Sequence, residues 1–347
     1  MSTIMTMGTV PIVIIVDITY MRRILGMRIQ IIPDQNYSER MDDEVAAWWR
    51  DSVKLHRYQS FDGTKIQSYY ALNPDADKAV VIVHGFTEFA EKFAEVMYYF
   101  YGEGYSVFTL DQRGHGRSGR KVPDPNLVFV NSFGEYVEDL RYFIDTVVRR
   151  EMPDAPLFLF GHSMGGCVSA LFLEKYPDTF KAAVLTSPML KMLFGTMPDF
   201  AVGTLAVVSQ ALNWKARPLS GAAAFSPEPD FENSCATSEP RYLYTLKQQT
   251  AHKAYQTSVP TYGWVVEAMK ATEELQKNAA EVIIPVLICQ AGLDTLVDNA
   301  GQDSFAEHAA NARIVRFPKA KHEIYRSPAE ELEGYYGEIF DFYSKNS

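Results

Sequence analysis

The sequence predicts an α/β fold: a mostly parallel central sheet with helices on both faces and an inserted, mainly helical cap. Three observations predict it. Short apolar runs of strand length alternate with helical patterns over most of the chain, the signature of a parallel sheet buried on both faces. The alternation stops between Pro188 and about Ala280 and then resumes, which marks an insertion. Gly161-His162-Ser163-Met164-Gly165 stands where one such strand meets one such helix. Strand, tight turn and helix form the context in which a G-x-S-x-G string presents its serine as a nucleophile.

Taken in order, residues 1–40 are an N-terminal extension to which the sequence gives no role. Met5 to Val16 is apolar, but Pro11 interrupts it and Asp17 closes it. It is too short to span a bilayer and lacks the basic start and small-residue cleavage site of a signal peptide. An extra strand, a weak membrane contact and a later start at Met21 all stay open. The core is expected over residues 41–189 and 281–347. Asp42 to Asp51 reads as a helix, and Leu55 to Leu72, turning at Phe61-Asp62-Gly63, reads as a hairpin. Strands are expected at Val80 to Val83, Tyr105 to Leu110, Pro156 to Phe160, Ala183 to Thr186, Val282 to Gln290 and Ala312 to Phe317. Helices are expected from Ala90 to about Tyr101, from Phe133 to about Arg149 and from Gly166 to Tyr176. The insertion, residues 190–280, holds an apolar helix-like stretch from Phe200 to Leu212 and a turn-rich run at Ser226-Pro227-Glu228-Pro229-Asp230. Helical patterns follow around Tyr242, Tyr244, Trp264 and Met269.

Composition narrows the function. With 347 residues, 47% hydrophobic and 22% charged, the chain can bury a large core. A net charge of −10 argues against nucleic acid as a partner and against broad electrostatic binding to anionic membranes. The three cysteines lie far apart, with no disulfide framework and no metal-ligand spacing. Reduced cysteines in a cytoplasmic enzyme are the expected state, with peripheral contact at the inner membrane left open. No metal and no cofactor are expected.

A serine alone is a weak nucleophile, so a base and an orienting acid must follow. The expected chain order is serine, acid, histidine. Asp294 stands at the end of the Val282 to Gln290 strand, and His322 follows the Ala312 to Phe317 strand. Of the seven histidines, His322 alone follows a late strand and precedes the last helical pattern. Asp294 is favoured as the acid because it lies nearest its strand end. Asp298, four residues on, is the alternative; its other role is a loop carboxylate or a helix cap. An oxyanion hole needs backbone N–H donors. The Met164 amide follows the nucleophile, and Phe86, after His84-Gly85 at the end of an earlier strand, supplies the second.

Several segments carry a family resemblance. They are His84-Gly85-Phe86-Thr87-Glu88, Asp111-Gln112-Arg113-Gly114-His115-Gly116-Arg117-Ser118-Gly119-Arg120, Phe133 to Leu140, the Ser163 motif, Phe231-Glu232-Asn233, Pro260-Thr261-Tyr262-Gly263-Trp264, Val297-Asp298-Asn299 and His322-Glu323-Ile324. From about Val53 to Tyr343 the chain resembles the α/β-hydrolase superfamily, in the branch of monoacylglycerol lipases and lysophospholipases. The resemblance implies a serine esterase that cleaves the acyl ester of a single-chain lipid, most of all a lysophospholipid, without a cofactor. A monoacylglycerol lipase or general carboxylesterase is the alternative, and a non-catalytic binding protein on the same fold is the second. It also implies that the Tyr262 and Trp264 motif lines the substrate site. Arg113, with Arg117 and Arg120, is a candidate phosphate reader because arginine forks suit phosphate oxygens.

Overall fold

A computed structural model describes residues 29–193 and 214–347. Met5 to Val16 and Phe200 to Leu212 lie outside the described residues. The chain enters through a helical run, Tyr37–Arg40, Met41–Val45 and Ala46–Ser52. Among the described residues ten strands follow: β1 (Lys54–Gln59), β2 (Lys65–Ala71), β3 (Ala79–Val83), β4 (Ser106–Leu110), β5 (Leu127–Val128), β6 (Leu157–His162), β7 (Ala182–Thr186), β8 (Val259–Pro260), β9 (Val286–Ala291) and β10 (Ala312–Phe317). The principal helices are α1 (Ala94–Gly102), α2 (Gly134–Phe143), α3 (Met164–Lys175), α4 (Glu239–Ala251), α5 (Tyr262–Asn278), α6 (Asn299–His308) and α7 (Ala329–Lys345).

Eight strands make one sheet in the order β1-β2-β4-β3-β6-β7-β9-β10. β2 runs antiparallel to both its neighbours, and every pairing from β4 to β10 is parallel. This is the α/β-hydrolase architecture expected from the alternation of elements. β5 and β8 form a separate parallel pair.

Residue alternation explains why both sheet faces are covered. Val81 and Val83 of β3, with Leu157 and Leu159 of β6, face a layer built on α2, α3 and α5. Val80 and Ile82, with Phe158 and Phe160, face the opposite layer of α1 and α7. Removing one of these phenylalanine rings would cost about 3–5 kcal/mol.

The largest late start of a strand is that of β9. β9 begins at Val286 rather than Val282, because Pro285 has no N–H to give to a ladder. α5 starts where Thr261 accepts the Trp264 N–H as an N-cap. Its buried face, Trp264, Val265, Ala268, Ala271 and Leu275, packs into the same layer as α2 and α3.

The strand order reverses between β3 and β6. Their helical connections therefore leave in opposite directions, which opens a crevice at the carboxyl ends of the strands.

Candidate active site

Ser163 stands in that crevice, between β6 and α3, with φ 53° and ψ −118°. Few non-glycine residues adopt such a backbone, and it costs on the order of 1–3 kcal/mol. The surroundings hold it there. The Ser163 N–H donates to Thr186 O at 3.1 Å, and its carbonyl accepts from Cys167 at 3.1 Å and Met189 at 2.9 Å. The flanking glycines are steric necessities. A Cβ at Gly165 would strike the Val83 and His84 carbonyls, and one at Gly161 would lie 2.9 Å from the Gly165 oxygen.

His322 and Asp294 reach Ser163 from the loops after β10 and β9. His322 Nε2 lies 2.8 Å from Ser163 Oγ, and His322 Nδ1 lies 2.7 Å from Asp294 Oδ2. The other carboxylate oxygen, Oδ1, accepts the N–H groups of Leu296 at 2.9 Å and Val297 at 3.1 Å. Burial alone would raise the Asp294 pKa, but the His322 partner and these two amides hold it below the ordinary value. An ionised Asp294 can only accept, so Nδ1 carries the imidazole proton and Nε2 offers its lone pair to the Ser163 hydroxyl. This chain can remove a proton from Ser163 and hand it to a leaving group.

Asp298 stands elsewhere. It caps α6 by accepting the Ala300 N–H at 2.9 Å, and it pairs with Lys191 at 2.7 Å.

The His84-Gly85-Phe86 loop lies directly against the serine: a Cβ on Gly85 would sit 3.0 Å from Ser163 Cβ. Met164 is the first residue of α3, where backbone N–H groups have no intrahelical acceptor. Trp264 packs its ring 4.3 Å from that of Phe86 and is 4% exposed. Tyr262 is also buried, and its hydroxyl meets Ser220 Oγ at 2.8 Å.

Arg113 is engaged away from the triad. Its Nε donates to Asp139 at 2.6 Å, Nη1 to Asp62 at 3.0 Å and Nη2 to Asp139 at 2.7 Å, with Glu135 3.1 Å from Nη1. With every nitrogen committed to a carboxylate, and 2% of the residue exposed, no fork is left for a phosphate.

The sequence reading missed a buried ionic chain beside the triad. Glu88 pairs with Lys92 at 2.8 Å, Lys92 with Glu323 at 2.6 Å, and Glu323 with Arg326. Two carboxylates and two cations balance. Burial would favour the neutral acids, yet Lys92 keeps the Glu88 carboxyl low, and Arg326 with Lys92 does the same for Glu323. Two signals were available: the four-residue spacing of Glu88 and Lys92, and the position of Glu323 next to His322.

Comparison with known proteins identifies a hydrolase. Residues 74–329 match the family model described as serine aminopeptidase, S33 (Hydrolase_4). The chain belongs to this hydrolase family. It is 35% identical to lysophospholipase L2 of Escherichia coli K12 over 238 residues, 67% of this chain and 68% of that protein. It is 26% identical over 281 residues to a monoacylglycerol lipase of Mycolicibacterium smegmatis, covering 80% of this chain and 92% of the other. Among solved structures, a soluble variant of Saccharomyces cerevisiae monoglyceride lipase superposes with TM-score 0.67 at 20% identity. That match covers 85% of this chain and 95% of the yeast chain, and it supports the α/β-hydrolase fold. No helix among the described residues is long and apolar enough to cross a membrane.

Proposed function

We propose that this hydrolase cleaves the acyl ester of a single-chain lipid, lysophospholipid first, through an acyl-enzyme on Ser163. The observation that carries the chemistry is the hydrogen-bonded chain from Ser163 through His322 to Asp294. Ser163 Oγ attacks the ester carbonyl carbon, and its proton passes to His322 Nε2. The Phe86 and Met164 amides hold the oxyanion. Collapse expels the glycerol-type alcohol, which takes the proton from His322. A water activated by His322 then attacks the acyl-enzyme, releases the fatty acid and restores the Ser163 hydroxyl. Apart from the substrate and this water, the steps draw on protein groups.

The substrate class follows the relatives. Lysophospholipase L2 and monoacylglycerol lipase both act on lipids with one acyl chain, as their names state. Of the segment read as the cap, α5 packs into the core layer of α2 and α3, where Trp264 lies on Phe86 of the oxyanion loop. We assign the protein to the cytoplasm; free Cys167, Cys235 and Cys289 fit a reducing compartment.

A substrate panel tests this. Lysophosphatidylcholine, lysophosphatidylethanolamine and monoacylglycerol should be hydrolysed faster than diacyl phospholipid or triacylglycerol, because a second chain needs more buried volume. Ser163→Ala should lose about 10³-fold or more in kcat, and all fluorophosphonate labelling, while keeping its Tm. Activity confined to peptides, the reading the family description itself suggests, would replace the lipid substrate and leave the serine chemistry standing.

A further inference from the structure

The oxyanion loop is held at one residue from both sides. The Gly85 N–H donates to Glu88 Oε2, and the Gly85 carbonyl oxygen lies 2.8 Å from His84 Nδ1. The tautomer of His84 follows from its other nitrogen. Nε2 lies 2.9 Å from the Gln112 backbone N–H, which can only donate, so Nε2 is the acceptor. Nδ1 therefore carries the proton and donates to the Gly85 carbonyl. Burial lowers the His84 pKa and keeps the ring in this neutral form.

The Gly85 carbonyl and the Phe86 N–H belong to one rigid peptide plane, and in a trans peptide they point in opposite directions. His84, on the Gly85 carbonyl, thus aims the Phe86 N–H, and Glu88, on the Gly85 N–H, anchors the preceding peptide plane. Glu88 is fixed in turn: its Oε1 accepts the Tyr325 hydroxyl at 2.6 Å and pairs with Lys92 at 2.8 Å. Lys92 also reaches Glu323, the residue after the catalytic base, at 2.6 Å. Packing leaves little slack, since a Cβ on Gly85 would lie 2.8 Å from Glu88 Oε2 and 3.0 Å from Ser163 Cβ.

We infer that His84 and Glu88 are positioning residues that aim the Phe86 amide at the developing oxyanion. The inference rests on the proposed function. Neither residue needs to touch the substrate. Their effect is on the transition state, where the oxyanion exists, and not on substrate binding.

The test uses the full chain with lysophosphatidylcholine and monoacylglycerol. His84→Phe keeps a ring of similar shape and removes both nitrogens. It should lower kcat about 10- to 100-fold with KM within about twofold, part of the 10²–10³ that losing an oxyanion donor costs. His84→Asn restores an N–H donor near the Nδ1 position and should regain most of that loss. Glu88→Gln keeps an acceptor for the Gly85 N–H and should retain more kcat than Glu88→Ala, a pair that decides the matter if His84→Phe does not fold. A folded His84→Phe with kcat within about twofold of wild type overturns the inference, as does a raised KM at unchanged kcat. Equal rates for His84→Asn and His84→Phe, or for the two Glu88 variants, do the same. If Ser163 still takes up fluorophosphonate in an unimpaired His84→Phe, the proposed function stands and this inference alone falls. A wild-type protein that cleaves no ester and is not labelled overturns both.

Discussion

Two clusters of charged and polar side chains lie at the carboxyl end of the sheet, and they differ in what they leave unspent. At the triad, Asp294 holds His322 and His322 meets Ser163, but the Ser163 oxygen keeps lone pairs free for a carbonyl carbon. On the loop after β4, the arginines are consumed by the protein itself. Arg113 is bound by Asp139, Asp62 and Glu135. Arg120 donates to the carbonyls of Gly114, Gly116 and Ala254. Arg117 pairs with Glu91 at 3.2 Å and lies over the Tyr255 ring. A cluster that satisfies itself rigidifies a loop; one that keeps a reactive valence can do chemistry.

The sharpest way to test the reactive cluster is to exchange its two candidate acids. Asp294→Asn should lower kcat on the order of 10⁴-fold, because an amide at that position favours the wrong imidazole tautomer. Asp298→Asn removes the charge that meets Lys191 but keeps a side-chain oxygen to cap α6, so kcat should stay within a few-fold. Steady-state rates of the two variants decide it, and the reverse order would move the acid role to Asp298.

The self-satisfied cluster should break in stability instead. Arg113→Met strands the Asp139 carboxylate, which is 1% exposed. Breaking one side of a buried pair costs about 3–5 kcal/mol. Denaturant unfolding should show that loss, while the rate ratio between lysophosphatidylcholine and monoacylglycerol stays at the wild-type value. A selective loss on lysophospholipid would return Arg113 to phosphate recognition.

The same contrast explains what the sequence could and could not disclose. The sheet was legible because its strands are continuously apolar and punctuated by turns, so Val80, Phe158 and Val184 announce themselves locally. The meeting of Asp294 and His322 with Ser163 was legible because chain order and strand ends constrain it. The fate of Arg113 was not, since its partners Asp62 and Asp139 lie 51 and 26 residues away. The link from Lys92 to Glu323 spans 231 residues and has no local pattern at all. Periodicity reveals which face is buried; it does not reveal which donors are already spent. His84 is the intermediate case. Its motif pointed to the oxyanion loop, but its role depends on Gln112, whose amide becomes a partner only once β3 and β4 pair.

The smallest expected effect comes from His162, which belongs to neither cluster but touches the first. Its ring lies 5.0 Å from that of His322, and its Nδ1 is 3.2 Å from the Thr186 carbonyl. Burial pushes its pKa down to about 4, against the pull of Glu88. The fold therefore prefers the neutral ring. Above about pH 6.5 neither the folded nor the unfolded chain protonates it, and stability is full. As pH falls from 6.5 toward 4, the unfolded chain takes up a proton that the fold refuses, so stability falls by roughly 3 kcal/mol. His84 and His115, also lowered by burial, add to this slope. The carboxylates act in another window: Asp294, Glu88 and Glu323, held below their ordinary values, give up their contribution only below about pH 4. Glu174, raised to about 8 by burial, works in the opposite sense over part of the range. A difference measurement removes these shared terms. Thermal unfolding of wild type and His162→Gln from pH 8 to pH 4 should show the variant losing less stability on acidification, with the two curves converging or crossing between pH 6.5 and 4. Parallel curves would mean that His162 titrates alike in both states and that burial does not keep it neutral beside His322.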